Sequence, residues 1–118
     1  MPGLGTSFGR GGATTSQMDV RFADAILIMG SNMAECHPVA FRFVMQAKLA
    51  GAKVLHVDPR FTRTSAMADT YAPLRAGSDI VFLGGLIRYV LETNAYFRDY
   101  VVAYTNAATL ITADYKDT

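Results

Sequence analysis

Three short clusters hold the residues with chemistry to offer: Gly30, Ser31, Asn32 and Glu35; Asp58, Arg60 and Thr62; and Gly77, Ser78 and Asp79. In the first, a flexible glycine and small polar side chains lead toward a helix, whose free amides and dipole favour a phosphate. The second presents a carboxylate where a dinucleotide fold offers one to a ribose hydroxyl, with Arg60 and Thr62 able to reach phosphate or ring oxygens. The third ends on Asp79, whose two oxygens can accept both the N1 and N2 hydrogens of a guanine. Phosphate, ribose and guanine together describe a guanine nucleotide. Each cluster also has a plainer reading: residues 30–32 as an ordinary βα turn, Asp58-Pro59 as a strand stop, and Asp79 as a helix cap.

The elements that must position these clusters follow from hydrophobic patterning. Ala25 to Met29 is a continuous apolar run closed by Gly30, which suits a strand buried on both faces of a parallel sheet. Pro38 fits a first helical turn, and Val39, Phe43, Val44, Ala47 and Leu49 recur at helical spacing until Gly51. "KVLHV" at residues 53–57 is a second strand, stopped by Asp58-Pro59 because proline removes a ladder donor. Residues 62–69 form a brief helix and residues 71–76 an edge strand that tolerates Pro73. Ser78 or Asp79 then caps a helix over residues 78–94, with Ile80, Leu83, Leu86, Ile87, Val90 and Leu91 on one face. A last helix covers residues 96–104. The result is an α/β, Rossmann-like parallel sheet with flanking helices and right-handed crossovers, and its ligands bind beyond the carboxyl ends of the strands, on the edge where all three clusters fall. Residues 1–17, rich in glycine, serine and threonine, read as a loop.

Composition excludes several classes. A formal net charge of +1 over 118 residues, with no block of like charge, argues against nucleic acid and polybasic membrane binding. The longest apolar run, residues 80–87, is far short of the roughly 20 residues that cross a bilayer. The one cysteine, Cys36, has no partner for a disulfide and reads as a small buried residue. His56, inside a strand, reads as packed, and His37 reads first as a capping group. No P-loop occurs, and the glycines at 3, 5 and 9 miss the G-x-G-x-x-G spacing by one residue.

"GLGTSFGRG", "MGSNMAECHP", "VDPRFTRTSAMADTYAPLRAGSD" and "YVVAYTNA" together resemble the catalytic subunit of a molybdopterin oxidoreductase of the dimethyl sulfoxide reductase family, and within it the formate dehydrogenases. The resemblance implies a larger multidomain subunit that oxidises formate to carbon dioxide. It also implies a bis(molybdopterin guanine dinucleotide) cofactor with molybdenum or tungsten, and a [4Fe-4S] cluster in the intact subunit only. Gly30, Ser31, Asn32 and Glu35 would line the pyrophosphate and pterin side, Asp58, Arg60 and Thr62 the ribose, and Gly77, Ser78 and Asp79 the guanine. No residue here is expected to break bonds, and none to bind metal. Residues 1–17 would follow a metal-binding selenocysteine or cysteine absent from this chain, and residues 18–118 would be part of the nucleotide-binding domain. The start at Met1 fits a selenocysteine codon read as a stop, and the polar end at Lys116, Asp117 and Thr118 fits a second truncation. Implied partners are the rest of the catalytic subunit, an iron–sulfur subunit, a cytochrome subunit as a further candidate, and formate. The implied compartment is the periplasm, if the subunit follows membrane-bound respiratory enzymes, with the cytoplasm as the alternative. Rival readings are a relative such as a nitrate reductase and a non-catalytic dinucleotide-binding module.

Overall fold

The structure, a computed structural model, describes residues 2–9, 11–13, 15–107 and 109–114; Lys116, Asp117 and Thr118 lie outside that set. The chain divides into two units, Met1–Ala76 and Gly77–Thr118, and each is described by itself.

In the first unit, β1 (Ala25–Met29), β2 (Lys53–Asp58) and β3 (Thr70–Pro73) form a parallel sheet in the order β1-β2-β3. β1 pairs with β2 from Ala25 opposite Lys53 to Met29 opposite Val57, and β3 pairs with β2 from Thr70 opposite Leu55 to Pro73 opposite Asp58. Between β1 and β2 run α2 (Met33–Cys36) and α3 (Pro38–Leu49), and between β2 and β3 runs α4 (Arg63–Met67). This is the parallel α/β architecture expected, with β3 placed slightly earlier than residues 71–76. Proline is tolerated in β3 because, among the described residues, that strand is an edge strand paired with β2.

Partners in a parallel pair share a face, so Ile26, Ile28, Val54 and His56 point to one side. There Ile28 and Val54 meet Phe41 and Val44 of α3 in the buried core, with Met33, Met45 and Ala68 packed around it. Leu27 and Leu55 point to the other side and remain 47% and 37% exposed. The expectation that the first strand is buried on both faces is therefore corrected. The helices that pack on the core approach from one side, and β1 alternates between buried and exposed positions.

A second correction concerns the chain's start. Residues 2–8, expected as loop, form α1 (Pro2–Phe8). No residue of this helix is buried, so its support is local: proline stands at its first position, and the Thr6 hydroxyl donates to the Pro2 carbonyl at 3.0 Å. A 3-10 helix, Gln17–Phe22, follows with a capping box. The Asp19 carboxylate accepts the Ser16 amide at 3.2 Å, and the Met18 amide donates to the Ser16 hydroxyl at 3.3 Å. Val20 from this helix joins the edge of the core.

The amino end of β3 is held by a side chain. Asp69 accepts the Val54 amide through Oδ2 at 2.8 Å and donates its own amide to the Val54 carbonyl at 2.8 Å, while Oδ1 lies 3.1 Å from Lys48 Nζ. The Val54 amide first, and Lys48 second, hold the Asp69 carboxyl below its ordinary carboxylate value. A group whose pKa is lower folded than unfolded stabilises the fold above its unfolded pKa, and that contribution is lost as pH falls through the folded value. Urea unfolding should therefore show wild type losing more stability than Asp69→Asn does as pH falls below about 4, and parallel pH profiles would exclude the clamp.

In the second unit, α5 (Asp79–Glu92) forms within the span of residues 78–94 that the apolar spacing indicated, and α6 (Arg98–Tyr104) follows. No residue of α5 is buried, and Ile80 and Ile87 are 86% and 62% exposed. The helix is supported by an Arg88–Glu92 ion pair at 2.7 Å and ends where Asn94 takes the left-handed conformation, φ 52°. Among the described residues, no helix is long and apolar enough to cross a membrane.

Candidate functional site

The site begins where β1 ends. Gly30 has φ +62°, a conformation that a side chain would strain, and its amide still donates to the Val57 carbonyl at 2.9 Å. The chain thus leaves the sheet sharply at Gly30 while remaining tied to β2, and Ser31 and Asn32 follow as a turn into α2.

At the carboxyl end of β2, Asp58 is largely enclosed, with its side chain 14% exposed. Oδ1 accepts the Arg60 amide at 2.8 Å, which fixes the carboxylate in a local turn. Oδ2 lies 4.0 Å from His56 Nε2 and makes no hydrogen bond among the described residues. The Tyr71 hydroxyl donates to the Asp58 carbonyl at 2.9 Å, and Phe61 meets the Tyr71 ring edge-on at 5.1 Å between centroids. Thr62 is the N-cap of α4. Its amide donates to the Ser65 hydroxyl at 2.8 Å, and its own hydroxyl is 3.4 Å from the same oxygen.

Polar links from α4 tie the two loops together. Thr64 donates from Oγ1 to Asn32 Oδ1 at 3.1 Å and accepts the Ala34 amide at 2.9 Å. Asn32 Nδ2 donates to Glu35, whose other oxygen pairs with Arg63 at 3.3 Å. Of the residues expected in the site, then, Ser31, Asn32, Glu35, Asp58, Arg60 and Thr62 are brought to one end of the sheet around α4. Gly77, Ser78 and Asp79 open the other unit. There Gly77 has φ +84°, and Ser78, not Asp79, is the N-cap of α5 and makes no side-chain cap bond. Asp79 stands at the first helical position with an exposed carboxylate free of hydrogen bonds among the described residues, so the reading of Asp79 as a helix cap is corrected.

Two further expectations change. Cys36 is exposed rather than buried, because it ends the short α2 at the surface. His37 occupies the N-cap position of α3 but its side chain makes no cap bond. His56 is packed as expected and fully buried, yet it is also a hub, accepting the Ser65 hydroxyl at Nδ1 (2.8 Å) and donating from Nε2 to the Ser31 carbonyl (3.1 Å). Sequence reasoning missed this role, as it missed Thr64 and Ser65. The signal was present in "KVLHVD", where the period of two sets His56 on the same face as Asp58 and beside the loop after β1. Among the described residues, no group of three or more His, Cys, Asp or Glu is placed to hold a metal.

Comparison with known proteins extends this picture. Formate dehydrogenase subunit alpha of Megalodesulfovibrio gigas is 56% identical over 108 residues, covering 92% of this chain and 11% of that protein. Formate dehydrogenase-O major subunit of Escherichia coli is 49% identical over 113 residues, covering 95% of this chain and 11% of that protein. A more distant relative, the F420-dependent formate dehydrogenase 1 subunit alpha of Methanococcus maripaludis, is 38% identical over 99 residues, or 84% of this chain and 15% of that protein. The chain therefore spans only about a tenth of the length of the first of these relatives. Among solved structures, a Sir2 homologue in complex with 2'-O-acetyl ADP ribose superposes with a TM-score of 0.54 at 23% identity, over 69% of this chain and 30% of that one, a likeness of fold alone. The sequence pattern of the molybdopterin oxidoreductases matches residues 4–106, and the chain belongs to the molybdopterin oxidoreductase family.

Proposed function

We propose that this chain is the guanosine-binding part of a formate dehydrogenase catalytic subunit, which oxidises formate to carbon dioxide. The observation that carries the reading is Asp58: one oxygen is fixed by the Arg60 amide, and the other is left as an unused acceptor at the carboxyl end of the middle strand. A free carboxylate acceptor at that position is what a ribose hydroxyl donates to. On this reading the clusters of the two units are each assigned to one end of a bis(molybdopterin guanine dinucleotide). The turn at Gly30, Ser31 and Asn32, with Glu35, faces the pyrophosphate and pterin side. Asp58 and Arg60 take the ribose side, with Thr62 holding their turn, and Gly77, Ser78 and Asp79 receive the guanine. When bound, that cofactor, with molybdenum or tungsten, would supply the centre that accepts two electrons from formate. The role of this segment is to bind and orient, as the protein does for cofactor enzymes generally. The names of the relatives support formate over nitrate as substrate. The same reading gives an iron–sulfur subunit as partner, with a cytochrome subunit as a further candidate, and the periplasm as compartment if the subunit follows the membrane-bound respiratory enzymes, with the cytoplasm as the alternative.

The test is the guanine nucleotide released by acid from the purified full-length catalytic subunit, per protein and alongside metal content. Asp58→Ala should lower it by roughly fivefold or more, the loss of about 1 kcal/mol or more from an unpaired ribose hydroxyl. Undiminished nucleotide in Asp58→Ala would remove the ribose assignment.

A further inference from the structure

His56 is a titratable side chain with no exposed surface, and the proposed function makes no use of it. Its neighbours define its hydrogens. The Ser31 carbonyl can only accept, so Nε2 carries a proton. The Ser65 hydroxyl oxygen already accepts the Thr62 amide, which leaves its own hydrogen to donate to Nδ1. One ring therefore links the turn after β1 to the N-terminal turn of α4, and its Nε2 edge lies 4.0 Å from the Asp58 oxygen that has no other partner. No buried side-chain polar atom among the described residues is left unsatisfied, so the ring's two bonds complete this network rather than decorate it.

We propose that His56 is a positioning residue for the nucleotide: from inside the sheet it holds the Ser31 carbonyl and the Ser65 hydroxyl at once, and so sets the spacing between the loop that faces phosphate and the loop that faces ribose. This rests on the guanosine-binding reading given above. The half that acts on the phosphate-facing loop is the bond to Ser31, which adds to Gly30's backbone tie to β2, the Thr64 contacts and the Asn32–Glu35–Arg63 links in holding the β1 turn. At metal sites, residues that orient a ligating group without touching the metal change affinity by about ten- to a hundredfold when removed, and an effect at the lower end is expected here.

The two amide replacements separate the two halves. His56→Gln carries an amide to the place of Nε2 and keeps a donor for Ser31, whereas His56→Asn carries one only to the place of Nδ1 and keeps the Ser65 contact alone. In the full-length subunit, His56→Gln should retain guanine nucleotide within about twofold of wild type, and His56→Asn should fall about tenfold. Amide exchange over residues 31–34, measured on the same preparations, should speed up in His56→Asn and stay near wild type in His56→Gln. Equal nucleotide in both variants, whether kept, lost or lost through misfolding, would overturn the proposal. Asp58→Ala is run alongside. If it keeps its nucleotide, the guanosine reading fails. If it loses nucleotide while the two His56 variants match, the inference about His56 fails alone.

Discussion

Asp79→Asn is expected to strip guanine nucleotide from the full-length catalytic subunit about as completely as Asp79→Ala. The carboxylate stands at the first position of α5 with no cap bond to occupy it, since Ser78 holds the N-cap position. Both of its oxygens are therefore available to the N1 and N2 hydrogens of a guanine. Alanine leaves those two donors unpaired in the bound state, at a cost of roughly 1–3 kcal/mol, and the charge on one partner moves the value toward the upper end. Asparagine keeps the shape but turns one acceptor into a donor that faces a donor, so its loss should match. Retention should weaken roughly fivefold to a hundredfold in both variants. Asp19→Ala is the control, because among the described residues the Asp19 carboxylate serves the Ser16 amide at the 3-10 helix. Equal nucleotide in all four proteins would place the guanine elsewhere and leave Asp79 as an ordinary residue of a first helical turn.

The second large effect is on stability. Phe41 of α3 lies against Ile28 and Val54 of the sheet and is 7% exposed. Phe41→Ala removes most of the ring from a small core and should cost about 3–5 kcal/mol. The amides of β1 and β2 report this loss through hydrogen exchange in the full-length subunit, where opening should become at least about a hundredfold more frequent. Phe61 offers the contrast: it is 63% exposed and only meets the Tyr71 ring edge. Phe61→Ala should change exchange in β1 and β2 by less than about threefold, the effect of an exposed position. Similar exchange in both variants would mean that α3 does not anchor the sheet.

Much of the fold was legible because its cues are local. The apolar run before Gly30, the proline at the start of α3 and the proline after Asp58 each act through the residue that carries them, and all three mark an element boundary in the structure. The burial of β1 was read wrongly for a different reason. A run of five apolar residues looks the same whether one or both faces are covered, and only the position of the helices distinguishes them. α1 was missed because glycine and threonine lower helix propensity, while the proline at its start and the Thr6 back-bond act in the opposite direction. At the candidate site, the backbone cues at Gly30 and Asp58 were readable. The polar links through His56, Thr64 and Ser65 were not, since they join residues as far apart as 32 positions that only packing brings together.

The clasp between Asp69 and Val54 has a consequence for how the chain reaches its fold. A parallel strand can slide along its neighbour by two residues and still send every side chain to the correct face, so hydrophobic patterning alone does not penalise that error. The reciprocal bonds of Asp69 to one residue of β2 do penalise it. A slipped β3 would carry the carboxylate away from the Val54 amide and from Lys48, leaving a charge and a main-chain donor without their partners. Because the two residues are only 15 apart, the segment that closes between them is short and its closure entropy small. The clasp therefore favours the correct alignment of β3 at a small entropic cost.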